Sequence, residues 1–301
     1  MIVQIIINGF LSGLIYALLS IGFALIYGYS GLLNLAHGAY FVIGAYTFAV
    51  LASLLPCTIL GIPCSPIVLA LVLAPIITGI IAAVHYKLTL SPVVGDDLSI
   101  LIVSSCSCLI IQQILWLIFG SVKAMQFLIP SLIEGNANIM GVTVTNNLLL
   151  SALLSLTLFV LLTLFVSKTK IGRAMRALHQ DLEAAMLMGI NREKMFIFTV
   201  MLSGLLACLG GIFITSSTSR VTSVYGWLEP LAVSFAIVIL GGLGSIMGTL
   251  LGGLIFGYSI AIVQNVFPGG GVLVPAVPFF ILIFILTVRP KGILGKRIEM
   301  E

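Results

Sequence analysis

Apolar runs of membrane length, separated by short polar or glycine-rich breaks, set the rhythm of this chain from its first residues. The opening run, residues 2–28, is interrupted only by small or neutral polar side chains, and Gly9 with Gly13 marks a face that another helix can approach closely. Further runs follow at 38–55, 66–86, 98–120, 148–166, 195–215 and 277–288, with a glycine-dense one ending at Phe267. Pro75 sits in the middle of its run and predicts a kink. The run 230–240 is too short to cross comfortably. Each helical crossing needs ~20 apolar residues. The pattern therefore predicts an all-α, polytopic transmembrane helical bundle of about eight or nine apolar segments, some glycine-broken or re-entrant. The chain, 1–301, reads as one transmembrane domain.

The breaks carry most of the polar groups. In YGYSGLLNLAHGAYFVIGAY, Tyr27 to Tyr46, the pair Asn34 and His37 is three residues apart and shares one face if helical. Polar groups at that depth are costly unless they face protein or water, so the pair either lines a path or ties two helices together. In GGLGSIMGTLLGGLIFG, 241–257, glycines at 244, 248 and 252 permit close backbone approach. A glycine-dense break beside a shortened apolar run is the pattern of discontinuous helices around a transport path. Asn34, His37, Gly38, Gly241, Gly242 and Gly244 are thus the pathway or helix-break candidates, and the two segments weakly echo each other in the two halves.

Composition makes the membrane assignment firm. The chain is 60% hydrophobic and 7% charged, against roughly a quarter charged in soluble domains. No Asp, Glu, Lys or Arg precedes Lys87, and the lack of a basic n-region argues against a cleaved signal peptide. Six of the 13 Lys and Arg, namely Lys168, Lys170, Arg173, Arg176, Arg192 and Lys194, fall in the one long polar passage at 168–194. Arg289, Lys291, Lys296 and Arg297 close the chain. Basic loops stay on the cytoplasmic side, which places both clusters there and leaves the net charge of +4 as a report on orientation, with no nucleic-acid partner implied. His85, Lys87, Asp96 and Asp97 fit a tight cytoplasmic connection. The passages 121–147, with a hairpin-like IMGVTVTN, SSTSRVTSVYGWLEP with Arg220 and Glu229, and a turn at PGGGVLVP fall outside. Nine crossings satisfy that parity; one re-entrant segment would move the N-terminus to the other side.

Cys57 and Cys64 share one outer loop and are a candidate disulfide if that side is oxidising, whereas Cys106 and Cys108 read as small buried hydrophobes. In the polar passage, Leu178, Leu182 and Ala185/Met186 recur at helical spacing, with Gly189 a C-cap and Asn191 the next N-cap. One short amphipathic helix is expected, either resting at the lipid interface or docking in a groove of a soluble partner. Catalytic motifs are missing: there is no GxSxG or HExxH, the three histidines fall in different segments, and no metal-ligand spacing occurs. The tail GILGKR lacks the spacing of a phosphate-cradling loop. The spans lack carboxylates for ion coupling, apart from Glu229 at a span edge. Energy for any active transport must come from elsewhere.

SGLLNLAHGAYFVIGAY (Ser30–Tyr46), GRAMRALHQDLEAAMLMGIN (Gly172–Asn191), AIVILGGLGSIMGTLLGG (Ala236–Gly253) and RPKGILG (Arg289–Gly295) resemble, in order and over nearly the whole chain, the permeases of branched-chain amino acid ABC importers. Glu183-Ala184-Ala185 with Gly189 resembles the signature that forms the coupling helix of importer permeases. The resemblance implies Arg176, Asp181, Glu183, Ala184 and Gly189 as ATPase-coupling residues within the 168–194 cytoplasmic coupling loop. It further implies a multi-pass inner-membrane protein with a cytoplasmic C-terminus, a second permease subunit, identical or homologous, two ATP-binding subunits and an extracytoplasmic solute-binding protein. No cofactor is expected on this chain; ATP and Mg belong to the partner ATPases. Where family members commonly carry a Lys before Ala-Phe and GGLGS, this chain has Val233, Ser234 and Phe235. That departure leaves urea, short amides or another small solute as alternative cargo, and a self-contained carrier or a membrane-embedded enzyme as remoter rivals.

Overall fold

The computed structural model describes residues 1–55, 58–59, 62–63, 65–119, 126–128, 130–218, 220–222, 227–288 and 292–294. Its helices are α1 (Ile2–Ser30), α2 (His37–Leu54), α3 (Pro66–His85), α4 (Asp97–Phe119), α5 (Asn146–Lys168), α6 (Lys170–Gln180), α7 (Leu182–Leu187), α8 (Arg192–Thr218), α9 (Leu228–Gly241), α10 (Ile246–Val266) and α11 (Val277–Val288). Among the described residues, eight helical stretches are long and apolar enough to cross a membrane. The ninth apolar helix, α9, has 14 residues, or roughly 21 Å at 1.5 Å per residue, and covers only part of the bilayer core. Of the two breaks that could be re-entrant, 242–245 is a short turn, whereas 31–36 runs from the end of α1 back into the bundle, where Leu35 N–H donates to Ser104 Oγ of α4 at 3.2 Å; the short helix is α9.

α1 is the hub: 78% of its apolar window is buried, against 17% in the last span. The α1–α10 seam is built from small residues. A Cβ added at Gly13 would lie 2.9 Å from the Leu254 backbone, and one at Gly253 would lie 2.6 Å from the Ala17 Cβ. Close approach of this kind is how membrane helices gain dispersion contacts without a hydrophobic driving force between them. α3 shows the complementary rule. Ala70, Ala74, Thr78 and Ala82 are wholly buried, while Val68, Val72, Ile76, Ile80 and Val84 stand exposed on the other face. Small residues face protein and β-branched ones face the apolar surroundings. Pro75 sits inside the continuous helix, and past His85 the chain runs on through a π-helical turn, Tyr86–Leu90, and a 3-10 turn, Ser91–Val93.

Contacts divide the ends between two faces. On one, the strand Gln126–Leu128 pairs antiparallel with Arg220–Thr222, and Asn136–Ile139 pairs with Val142–Thr145. The second pair is the expected hairpin, turned by Met140 (φ 51°) and Gly141 (φ 81°), whose positive dihedrals match the strand twist. Asn147 Nδ2 donates to Ser216 Oγ at 3.2 Å and joins α5 to α8 there. On the other face, Lys87 and Glu193 form an ion pair, and the Tyr29 ring at the end of α1 meets His179 on α6. Leu294 N–H donates to the Gly241 carbonyl at 3.0 Å, so the chain beyond α11 reaches this second face, opposite the start of α1.

Three expectations are corrected. The polar passage folds as two helices, because Asp181 (φ −154°, ψ 107°) is extended and breaks the chain between α6 and α7. PGGGVLVP is not a simple turn: Gly270–Ala276 forms a 3-10 helix that continues into α11. Glu229, expected in the outer loop, is helical and stands exposed in the first turn of α9. Cys57, Cys64 and the basic tail residues Arg289, Lys291, Lys296 and Arg297 lie outside the described residues.

Candidate functional site

The α6–α7 element is built from backbone caps. Thr169 accepts from Gly172 N–H at 3.0 Å and starts α6; the Asp181 carboxylate accepts from Ala184 N–H at 2.9 Å and starts α7. At the far end, Gly189 (φ 85°) bonds to the Met186 carbonyl and Ile190 to that of Ala185, the paired bonds of a Schellman cap. Asn191 Oδ1 then accepts from Lys194 N–H at 3.0 Å and opens α8. Only Ala185 of α7 is buried against the bundle; Glu183, Ala184 and Gly189 are exposed, and Leu187 and Met188 are 88% and 84% exposed. The element presents an acidic residue and two large apolar side chains beyond the ends of the spans. Arg176 does something else: its guanidinium turns inward and donates to the Val166 and Ser167 carbonyls at the end of α5, where cations offset the helix dipole.

Inside the bundle, Asn34 and His37 are fully buried. Asn34 Oδ1 accepts from Ala36 N–H at 3.0 Å, and its Nδ2 donates to the Tyr40 hydroxyl, which contacts His85 Nδ1 at 2.7 Å. His37 has both ring nitrogens engaged, with Ser203 Oγ at 3.0 Å and the Leu19 carbonyl at 3.1 Å. Of the two readings open from sequence, this geometry is the tie: His37 pins α2 between α1 and α8. Gly38 lets the start of α9 come close, since a Cβ there would collide with the Trp227 carbonyl and sit 3.0 Å from Leu231.

Gly241, Gly242 and Gly244 serve the other end of α9. Gly242 (φ 103°) and Gly244 (φ 78°) occupy conformations that side chains disfavour, and a Cβ on Gly244 would lie 3.2 Å from the Gly28 Cα. The two candidate groups therefore do not converge. They are the two anchor points of α9, separated by its length.

Glu229 opens α9 two residues after Trp227, whose carbonyl packs against Gly38 at the start of α2. Trp227 Nε1 donates to Gln112, inside α4. α9 thus begins at mid-height and ends at the second face. Glu229 is exposed, and the ion pair among the described side chains, Lys87–Glu193, lies elsewhere. The only sequence signal was a Glu-Pro pair ahead of an apolar run. Among the described residues no cluster of His, Cys, Asp or Glu could hold a metal ion.

A sequence profile for the permease component of branched-chain amino acid transport systems matches residues 5–286. The chain belongs to that family. It is 30% identical to the high-affinity branched-chain amino acid transport system permease protein BraD of Pseudomonas aeruginosa, over 97% of this chain and 95% of the relative. Identity is 29% to the corresponding protein LivH of Escherichia coli, over 96% and 94%. In fold the chain is similar to a chain of PsaBC from Streptococcus pneumoniae in complex with Fab, with a TM-score of 0.51, 14% identity and 97% of each chain covered. A permease of this family thus carries a buried polar tie at His37, a part-length helix anchored by glycines, and a capped polar element on one face.

Proposed function

We propose that this permease is the membrane-spanning subunit of an ABC importer, forming half of a translocation path for branched-chain or similar apolar amino acids. The observation that carries this is α7, held by an Asp181 cap and a Gly189 Schellman cap so that Glu183, Ala184, Leu187 and Met188 face outward. Such a rigid knob, acidic at its start and apolar at its tip, suits a cleft in a soluble partner. Two ATPase subunits, holding ATP and Mg, would seat it and its counterpart on a second permease, identical or homologous; a solute-binding protein would deliver cargo at the opposite face. The face with α6 and α7 is then cytoplasmic, because Lys168, Lys170, Arg173, Arg192 and Lys194 gather there, in an inner membrane with the C-terminus cytoplasmic. ATP binding would drive transport by favouring one orientation of the permease pair, which requires α7 to interact differently with the two ATPase states.

The test is purification of the chain from its native membrane in mild detergent, identification of what accompanies it, and leucine uptake by the complex in liposomes. ATPase subunits, a second permease and ATP-dependent uptake are expected. Recovery of this chain alone, in a detergent that preserves a known importer, would sink the reading.

A further inference from the structure

Glu229 is the one carboxylate among the described residues that lies at mid-height of the bundle. Asp96, Asp97, Glu134, Asp181, Glu183 and Glu193 all stand in turns, in loops or at span ends. Its depth is fixed independently from two sides. The Trp227 carbonyl packs against Gly38, beside His37, whose ring meets the Leu19 carbonyl 17 residues past the start of α1 and 11 before its end. Trp227, two residues before it, is bonded to Gln112, which lies 15 residues past the start of α4 and seven before its end.

A carboxylate at that depth is costly facing lipid, and ionisable groups there face a protein interior or a water-filled path. Glu229 is not buried in the protein: it is exposed, whereas Pro230, Leu231, Val233 and Ser234 behind it are buried. The ion pair seen among the described side chains, Lys87–Glu193, does not involve it. The surroundings are otherwise apolar and aromatic, with Leu228 exposed beside it and Tyr16 packed edge-on against Phe256. One anionic oxygen pair in an apolar, aromatic wall is the complement of an ammonium carried by an apolar ligand.

We propose that Glu229 lines the translocation path and receives the α-ammonium of the amino acid in transit. The proposal rests on the importer reading above and sharpens it, because it gives the path a group that favours cargo carrying an ammonium. The carboxylate holds the ammonium by a charge-assisted hydrogen bond, and the aliphatic side chain of the cargo lies along the apolar wall.

The experiment uses the complete complex, with its binding protein, in liposomes. Leucine uptake and ATP hydrolysis are measured for the wild type, Glu229→Gln, Glu229→Asp and the control Leu161→Ala, an exposed position on α5. The Gln variant loses uptake by about tenfold or more, the scale of a lost charge-assisted hydrogen bond, while hydrolysis and complex size are retained, so cargo moved per ATP falls. Asp restores most of the uptake, and Leu161→Ala stays within about twofold, as a substitution clear of the site should. Unchanged uptake in the Gln variant overturns the proposal. So does loss of the assembled complex in that variant, which would make Glu229 an interface group paired with a cation of the second permease. A wild-type complex that imports no branched-chain amino acid removes the importer reading itself, a result distinct from a working importer indifferent to residue 229.

Discussion

At the scale of single residues, the interior is organised by what is small and by what is polar. Gly44 lies where a Cβ would come within 2.6 Å of Cys208, and Gly253 is equally close to Ala17. Gly253→Val should therefore separate α1 from α10 and cost about 1–3 kcal/mol, the usual penalty of overpacking. Thermal melting of the detergent-solubilised protein checks this, and an unchanged melting point would contradict the seam. His37 offers a different case. Its ring bridges three helices through Ser203 and Leu19, and truncation leaves two buried partners unsatisfied. His37→Ala should lower membrane-inserted protein and uptake in proportion; a variant that inserts normally but fails to transport would restore the path-lining reading.

At the scale of elements, α9 and the α6–α7 pair share a logic: each is short because a defined residue stops it. Gly242 and Gly244 end α9 with positive φ, and their neighbours Ile293 and Leu294 bond to its last carbonyls at 2.9 and 3.0 Å. Asp181 divides what periodicity alone reads as one amphipathic helix, because its carboxylate satisfies the Ala184 N–H better than a continued helix could. Asp181→Ala removes that cap, worth about 0.5–2 kcal/mol. Faster hydrogen exchange at 182–187, with the spans unaffected, is the expected result.

At the scale of the molecule, the two faces are unlike. One carries the hairpin and the short strand pair, the other the basic passage and α7. If α7 transmits the ATPase stroke, Glu183→Arg should leave the protein inserted but reduce coupled uptake by about tenfold or more, since a like or missing charge at a docking cleft costs several kcal/mol. Normal uptake by that variant would remove α7 from the coupling path. The Lys87–Glu193 pair is half exposed on both sides, and such pairs contribute little. Lys87→Ala should accordingly leave the melting temperature nearly unchanged.

Sequence alone determined the helical class, the apolar segments to within a few residues, the shortness of the segment before Gly241, a hairpin-like piece in IMGVTVTN and the caps at Gly189 and Asn191. These are local properties: hydropathy, turn chemistry and capping act over a few neighbouring residues. The facing of α3 was not legible, because Ala70, Ala74, Thr78 and Ala82 alternate with Val and Ile in a run that is apolar all round, and in a bilayer the outside is as apolar as the core. Nor could sequence say that Asn34 and His37 point into protein, that Arg176 caps α5, or that Glu229 rises to the middle of the bundle. Those placements depend on which helix lies beside which. Tertiary packing decided them, because the cost of a polar group in a membrane is set by its depth and its partners, and both belong to the assembled bundle.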